Sequence, residues 1–192
     1  MPRSPADVLA SGPAQRAPAP KAHAKWLTAS IVDDAADVLT DVFDEAERRD
    51  RQHHRTWIAL VDGNNHQIDR INAEAQARNV NVTILIDLVH VIEYVWGAAW
   101  CCYAEGDPAA EDWVRDRLLA ILGGNARAVA AGIRRRATTE GLLRHKRANA
   151  DTCANYLTNK ARYLDYPTAL TSGWPMPPAS SKAPAVTSPK IA

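Results

Sequence analysis

The chain has 192 residues, a formal net charge of +1, 46% apolar residues and 23% charged ones. That is room for one domain with a core, and a near-neutral balance leaves any affinity for a polyanion to local clusters. Cys101, Cys102 and Cys153 form no CxxC pair, which argues against a disulfide framework or a zinc site and for free thiols in a reducing cytoplasm.

In chain order, residues 1–27 are rich in Ala and Pro and cannot bury enough apolar surface to offset their ordering entropy, so a disordered leader is expected. The N-terminus lacks the continuous apolar block of a signal peptide. No later run reaches the ~18 apolar residues of a membrane span, and a cytoplasmic protein without membrane contact is expected.

"SIVDDAADVLTDVFDEAERRD" carries Val32, Ala35, Ala36, Leu39, Val42, Phe43 and Ala46 at helical spacing. Acids crowd its start and Arg48 and Arg49 its end, as a helix dipole favours. "TWIALV" is short, apolar and β-branched, the pattern of a buried strand. It stops at Asp62 and Gly63. "NHQIDRINAEAQARN" follows as a helix that Asn64 or Asn65 can cap and Asn79 can end. "VNVTILIDL" is a second apolar strand, ending at Asp87. "HVIEYVWGAAWCCYAEG" is an apolar helix. Two apolar strands joined by a helix imply a crossover and a parallel pair.

The remainder is helical. Asp107 and Pro108 open one helix and Gly123–Gly124 close it. A basic helix, "NARAVAAGIRRRATTEG", comes next, and "RANADTCANYLTNKARYLDY" is read as another. "YPTALTSGWP" ends the ordered part. The tail from Pro175 is again Pro/Ala-rich and expected to be disordered.

In an open α/β sheet ligands bind beyond the carboxyl ends of the strands, where Asp62 and Asp87 stand. Carboxylate oxygen suits a hard cation such as Mg²⁺. A strand-end Asp also serves as a turn or cap residue. His90 and Glu93 share a helix face as a possible metal pair without a third ligand. Arg127, Arg134, Arg135, Arg136, Lys146 and Arg147 form the basic concentration that could meet phosphates, or a solvated helix face. The tryptophans could stack bases but fit core positions. No G-x-S-x-G follows a strand, so Ser–His–Asp chemistry has no support.

"TWIALVDGNNHQIDRI", "VTILIDLVHVIEYVWGAAW", "GDPAAEDWV", "RRRATTEGL", "KRANADTCANYL" and "YLDYPTALTSGWP" occur in order. Together they resemble bacterial insertion-sequence transposases of the DDE type, related to the Mutator-like group, from about Phe43 to Pro175. The resemblance implies a ribonuclease-H-like catalytic domain with a helical insertion. It implies DNA transposition through metal-dependent strand cleavage and transfer, with two Mg²⁺ or Mn²⁺ ions held by three acids. The second of those acids maps onto Asp62, both catalytic and metal-binding. His90 maps onto a His that the family tends to carry after the next strand, for local support or contact near the DNA. Asp87, at the other strand end, is a possible supporting residue or a helix cap, and DNA (the transposon ends) is the implied partner.

Two departures from the pattern matter. Upstream acids (Asp33, Asp34, Asp37, Asp41, Asp44) fit a helix surface rather than a strand end. No Asp or Glu follows "GWP". One of three ligands is therefore expected, in a truncated chain that binds the ions loosely and cleaves no DNA by itself.

The expected fold is a helix-dominated α/β protein. Residues 28–106 would form a partial ribonuclease-H-like core, residues 107–174 the helical insertion, and residues 175–192 the tail. Two strands out of five leave a sheet edge that invites self-association or pairing with a full-length transposase. The alternatives are a non-catalytic helical DNA-binding or protein-interaction module, and an unrelated small α/β enzyme using Asp62 and Asp87.

Overall fold

The computed structural model describes residues 3–9, 24–32, 34–174 and 176. Residues 1–2 and 10–23 of the leader, Asp33, Pro175 and the tail from 177 lie outside them. By contact the chain divides between Asp87 and Leu88 into a strand-bearing unit and a helical unit that includes residues 3–9. The protein is a helix-dominated α/β chain, and no helix among the described residues is long and apolar enough to cross a membrane.

Residues 3–9, within the stretch expected to lack structure, contain α1 (Pro5–Val8). Ser4 and Asp7 cap each other's backbone reciprocally across Pro5, satisfying donors a helix start leaves open. Val8 and Leu9 are buried, and the Arg3 amide donates to the Leu170 carbonyl at 3.2 Å. Burial of two aliphatic side chains offsets an ordering cost that the Ala/Pro composition alone does not meet.

The strand-bearing unit holds α2 (Ala35–Arg49), β1 (Trp57–Val61), α3 (Asn65–Ala77) and β2 (Val82–Ile86). α2 starts later than its apolar stripe implies, because Asp34 caps it by accepting from the Ala36 amide at 3.1 Å. β1 and β2 pair in parallel, Trp57 opposite Val82 through Val61 opposite Ile86, and α3 forms the crossover between them. Asn64 caps α3, accepting from the His66 and Gln67 amides at 2.9 and 3.4 Å. Asn79 ends it in the left-handed region at φ 53°, a conformation Asn tolerates.

Two polar centres bind α2 to the rest of this unit. The Asp50 carboxylate accepts from the His54 and Arg55 amides and from Trp57 Nε1 at 2.9–3.0 Å, which ties the end of α2 to the start of β1. Arg78, past the end of α3, reaches Asp44 at 2.6 Å and Glu47 and Glu74 at 3.0 Å, with its guanidinium over the Phe43 ring. Thr40 Oγ1 donates to Glu74 at 2.5 Å.

The helical unit holds α4 (Leu88–Ala99), α5 (Pro108–Leu122), α6 (Ala126–Thr139), α7 (Ala148–Asn159) and α8 (Tyr166–Thr171) besides α1. The sequence pattern divides the folded chain after residue 106, whereas by contact α4 groups with the helices that follow it. α4 packs on α5 and α7, and α6 packs on α7. Both helices bury small residues: Ala126, Ala130 and Ala137 on α6, Ala150, Cys153 and Ala154 on α7. Such side chains let two backbones approach closely.

The stretch expected as one helix over 147–166 is broken after Asn159. A 3₁₀ turn (Ala161–Tyr163) follows, and α8 starts where Asp165 caps the Thr168 amide and Pro167 takes a first-turn position. α4 ends at Ala99, short of the expected Gly106, and Cys101 to Tyr103 continue in turns. Trp96 and Trp113 are buried and Trp100 stacks on Trp96 at 4.8 Å, so these three serve the core.

The Arg78 cluster generates a test. Arg78→Ala leaves three carboxylates crowded around a vacated cation and is expected to destabilise the chain by about 1–3 kcal/mol, read from denaturant unfolding. The Thr40 hydroxyl, and then Arg78, hold the Glu74 carboxyl below its ordinary value of 4.5. Its contribution is therefore complete above pH 4.5 and lost as pH falls through the lower folded value. Acid unfolding should be less steep in Arg78→Ala; an unchanged acid limb would contradict the assignment.

Candidate functional site

Asp62 and Asp87 stand one residue past the carboxyl ends of β1 and β2. Because the strands are parallel and in register, both acids emerge on one rim. The Asp87 amide donates to the Val61 carbonyl at 2.8 Å, which extends the ladder to the rim itself. After Asp62 the chain reverses into α3 through Gly63, buried and at φ 96°. A side chain there would be strained, so glycine is what this turn requires.

Asp62 is exposed, and its Oδ1 accepts from the Asn64 amide at 2.7 Å. One carboxylate oxygen therefore shapes the turn that starts α3, the ordinary service of an Asp after a strand. The same carboxylate lines a groove of about 610 Å³ between the start of α2 and the start of α3. Val38, Leu39 and Val42 of α2 give it an apolar wall; Asn64, His66, Gln67 and Arg70 give it a polar one. Arg70 pairs with Asp34 at 3.0 Å and donates from Nε to His66 Nε2 at 2.8 Å, which makes that ring nitrogen an acceptor.

His66 and Arg70 are functional candidates that the sequence reading passed over. The signal was present: they follow Asp62 by four and eight residues, with both positions on one face of the first turns of α3. Strand end and helix start together present carboxylate and amide oxygen beside guanidinium and imidazole nitrogen.

A two-ion site is a different matter. The oxygen donors at the rim suit a hard cation in kind. Among the described residues, however, no three His, Cys, Asp or Glu side chains gather into a metal-holding group. The rim itself offers two carboxylates, Asp62 and Asp87.

The other expected site residues lie in the helical unit. His90, on α4, has Nδ1 3.2 Å from Glu93 Oε2, a helix-surface pair. Of the six basic candidates, three are committed within the fold. Arg134 donates to Asn155 at 2.8 Å. Arg136 binds Glu140 at 2.6 Å and the Tyr103 hydroxyl at 2.8 Å, with its guanidinium over the Tyr103 and Trp113 rings. Arg147 makes a two-pronged contact with Asp151 at 2.9 and 3.0 Å. Arg127, Arg135 and Lys146 are exposed and show no ion-pair partner among the described residues.

All three cysteines are free. Burial is the first cause that pushes the Cys102 thiol up to about 11 and the Cys153 thiol up to about 12. Both stay protonated at neutral pH and offer no thiolate nucleophile.

Compared with protein-family models, with curated proteins and with solved structures, the chain matches none of them.

The double placement of Asp62, in a turn and on a groove, separates two substitutions. Asp62→Asn keeps an Oδ1 acceptor for the Asn64 amide and is expected to change stability by less than about 0.5 kcal/mol. Asp62→Ala removes the acceptor and is expected to cost about 1 kcal/mol, as loss of a helix-start cap does. Thermal unfolding of the two variants checks this, and equal losses would remove the turn role.

Proposed function

We propose that this chain carries part of the catalytic domain of a DDE-type insertion-sequence transposase, with Asp62 as one of the acids that hold the divalent ions. The reading joins the resemblance of the "VDGN" block to one structural observation. Asp62 stands exposed at the carboxyl end of β1, beside Asp87 at the end of its parallel neighbour, on a rim that opens into a groove. The resemblance maps Asp62 onto the second of the family's three acids, with Asp87 at most a supporting residue, and the finer fold assignment, a partial ribonuclease-H-like core, belongs to this proposal. The resemblance makes DNA the substrate.

In this reading Mg²⁺ or Mn²⁺ would supply activation of the attacking oxygen and stabilisation of the leaving one. The chain's own part is to present Asp62 and Asp87 from a rigid ladder, with Gly63 leaving space beside the carboxylate. Arg70 and His66, on the adjoining groove wall, place positive and hydrogen-bonding groups next to that carboxylate. Of the family's three acids only Asp62 has a counterpart here, with Asp87 beside it as a supporting carboxylate, so in this reading the chain alone binds the ions loosely and leaves DNA intact.

Two readouts test this. Supercoiled plasmid incubated with the purified chain and Mg²⁺ or Mn²⁺ is expected to stay uncut. Mn²⁺ titrated into the isotopically labelled chain is expected to broaden the backbone resonances of Asp62, Gly63 and Asp87 before others, and Asp62→Asn is expected to abolish that order. Broadening centred elsewhere, or unaffected by Asp62→Asn, would remove Asp62 from the role.

A further inference from the structure

A second cavity, of about 270 Å³, lies at the amino ends of β1 and β2, at the opposite end of the sheet from Asp62 and Asp87. Its lining comes from the strand-bearing unit alone. His53, Arg55 and Thr56 come from the segment before β1, Asn79 and Asn81 from the segment before β2, and Thr83 from β2 itself. These bring a guanidinium, an imidazole, two carboxamides and two hydroxyls, and among the described residues no Asp or Glu lines the cavity. Arg55 is exposed and makes no ion pair among the described residues, whereas Arg48, Arg49 and Arg78 of the same unit each bind carboxylates at 2.6–3.0 Å. The acids of this corner are taken. Both oxygens of Asp50 accept from N–H donors, and Glu47 holds Arg78 at 3.0 Å with His53 Nε2 at 3.9 Å. The acidic rim lies a five-residue strand away, roughly 16 Å at the rise of a β-strand, beyond the reach of exposed charges in physiological salt. The walls are held by the fold: the His53 ring meets Trp57 edge-on at 5.5 Å, and the His53, Asn79 and Val80 amides donate to the Asp50, Gln76 and Ala75 carbonyls at 2.9–3.2 Å. His53 and Asn79 both stand in the left-handed region, at φ 52° and 53°, a backbone state that gathers at ligand clamps.

We propose that this cavity binds the phosphate group of a small phosphorylated molecule, with Arg55 as the residue that recognises the charge. A guanidinium presents a fork of N–H donors that matches phosphate oxygens in pairs. Two carboxamides and two hydroxyls add neutral donors beside it, more than the two oxygens of a carboxylate engage. A phosphate group offers at least three oxygens to such a set. A lining without carboxylates has the same importance, since an acid there would repel the ligand. The cavity also leaves room for a polar body beyond the phosphate. Its apolar members are Trp57 and Val80, and the Asn and Thr side chains pair with hydroxyls. A phosphorylated sugar has that chemistry. Because Arg55 is exposed, the expected dissociation constant is weak, on the order of millimolar. The inference does not rest on the transposase reading.

The experiment is an NMR chemical-shift titration of the isotopically labelled full chain at constant ionic strength, with ribose 5-phosphate, inorganic phosphate and ribose as probes. Both phosphates are expected to move the Arg55, Thr56, Asn81 and Thr83 amide resonances to saturation, the sugar phosphate at several-fold lower concentration. Ribose is expected to leave them in place. Arg55→Gln should weaken the sugar phosphate at least about tenfold, the loss of a charged hydrogen-bonding partner. Arg55→Lys keeps the charge without the fork and should weaken it less. The Arg55 side chain is exposed and its amide, which Asp50 accepts, is kept in both variants. Should either variant misfold, the position of the shifts on the unsubstituted chain remains the readout. No saturable shift with either phosphate, shifts centred on Arg127, Arg135 or Lys146 of the helical unit, a sugar phosphate no tighter than inorganic phosphate, or an affinity unchanged in Arg55→Gln would each overturn the proposal.

Discussion

The hydrogen bond from the Asp87 amide to the Val61 carbonyl, 2.8 Å long, is the contact from which the functional geometry of the strand-bearing unit follows. It is the last rung of the parallel ladder, and its parity sets which residues of β1 face β2. It carries the pairing up to the rim, so that Asp62 and Asp87 leave the sheet side by side. A one-residue slip would move every side chain of β1 to the opposite face and separate the two acids in height.

Asp62 combines a turn-forming bond with a place on the rim and the groove wall. Its bond to the Asn64 amide fixes the turn into α3, and α3 in turn places His66 and Arg70 along the groove. The turn service and the rim position are compatible because a carboxylate has two oxygens and several acceptor directions. A strand-end acid that orders its own helix start is preorganised: little side-chain freedom remains to be lost when a ligand arrives.

Much of the fold was legible in the sequence because its signals are local. The strands announced themselves as short apolar runs with β-branched residues, α3 by Asn64 and Asn79 at its ends, and α5 by Asp107–Pro108 and Gly123–Gly124. α1 was missed although Ser4 and Asp7 spell its capping pair, since the surrounding Ala/Pro composition masked a signal four residues long. The break after Asn159 was missed because apolar spacing continues through it. The division of the basic residues was legible only where an acid follows by four, as Glu140 follows Arg136 and Asp151 follows Arg147. Arg136 is also held by Tyr103, 33 positions away, and Arg134 by Asn155, 21 away, contacts that only the fold creates. The groove was half legible: Asp62 stood out, whereas its α2 wall requires knowing how two helices pack.

The central claim is that β1 and β2 are parallel, in register, and closed at the rim by the Asp87–Val61 bond. The most direct test is the scalar coupling transmitted through that hydrogen bond, measured by NMR between the Asp87 amide nitrogen and the Val61 carbonyl carbon. The account requires a resolved coupling between these two nuclei, accompanied by cross-strand contacts in the parallel pattern. A coupling from Asp87 to any other carbonyl, or close Hα–Hα contacts of the antiparallel kind between the strands, would contradict it.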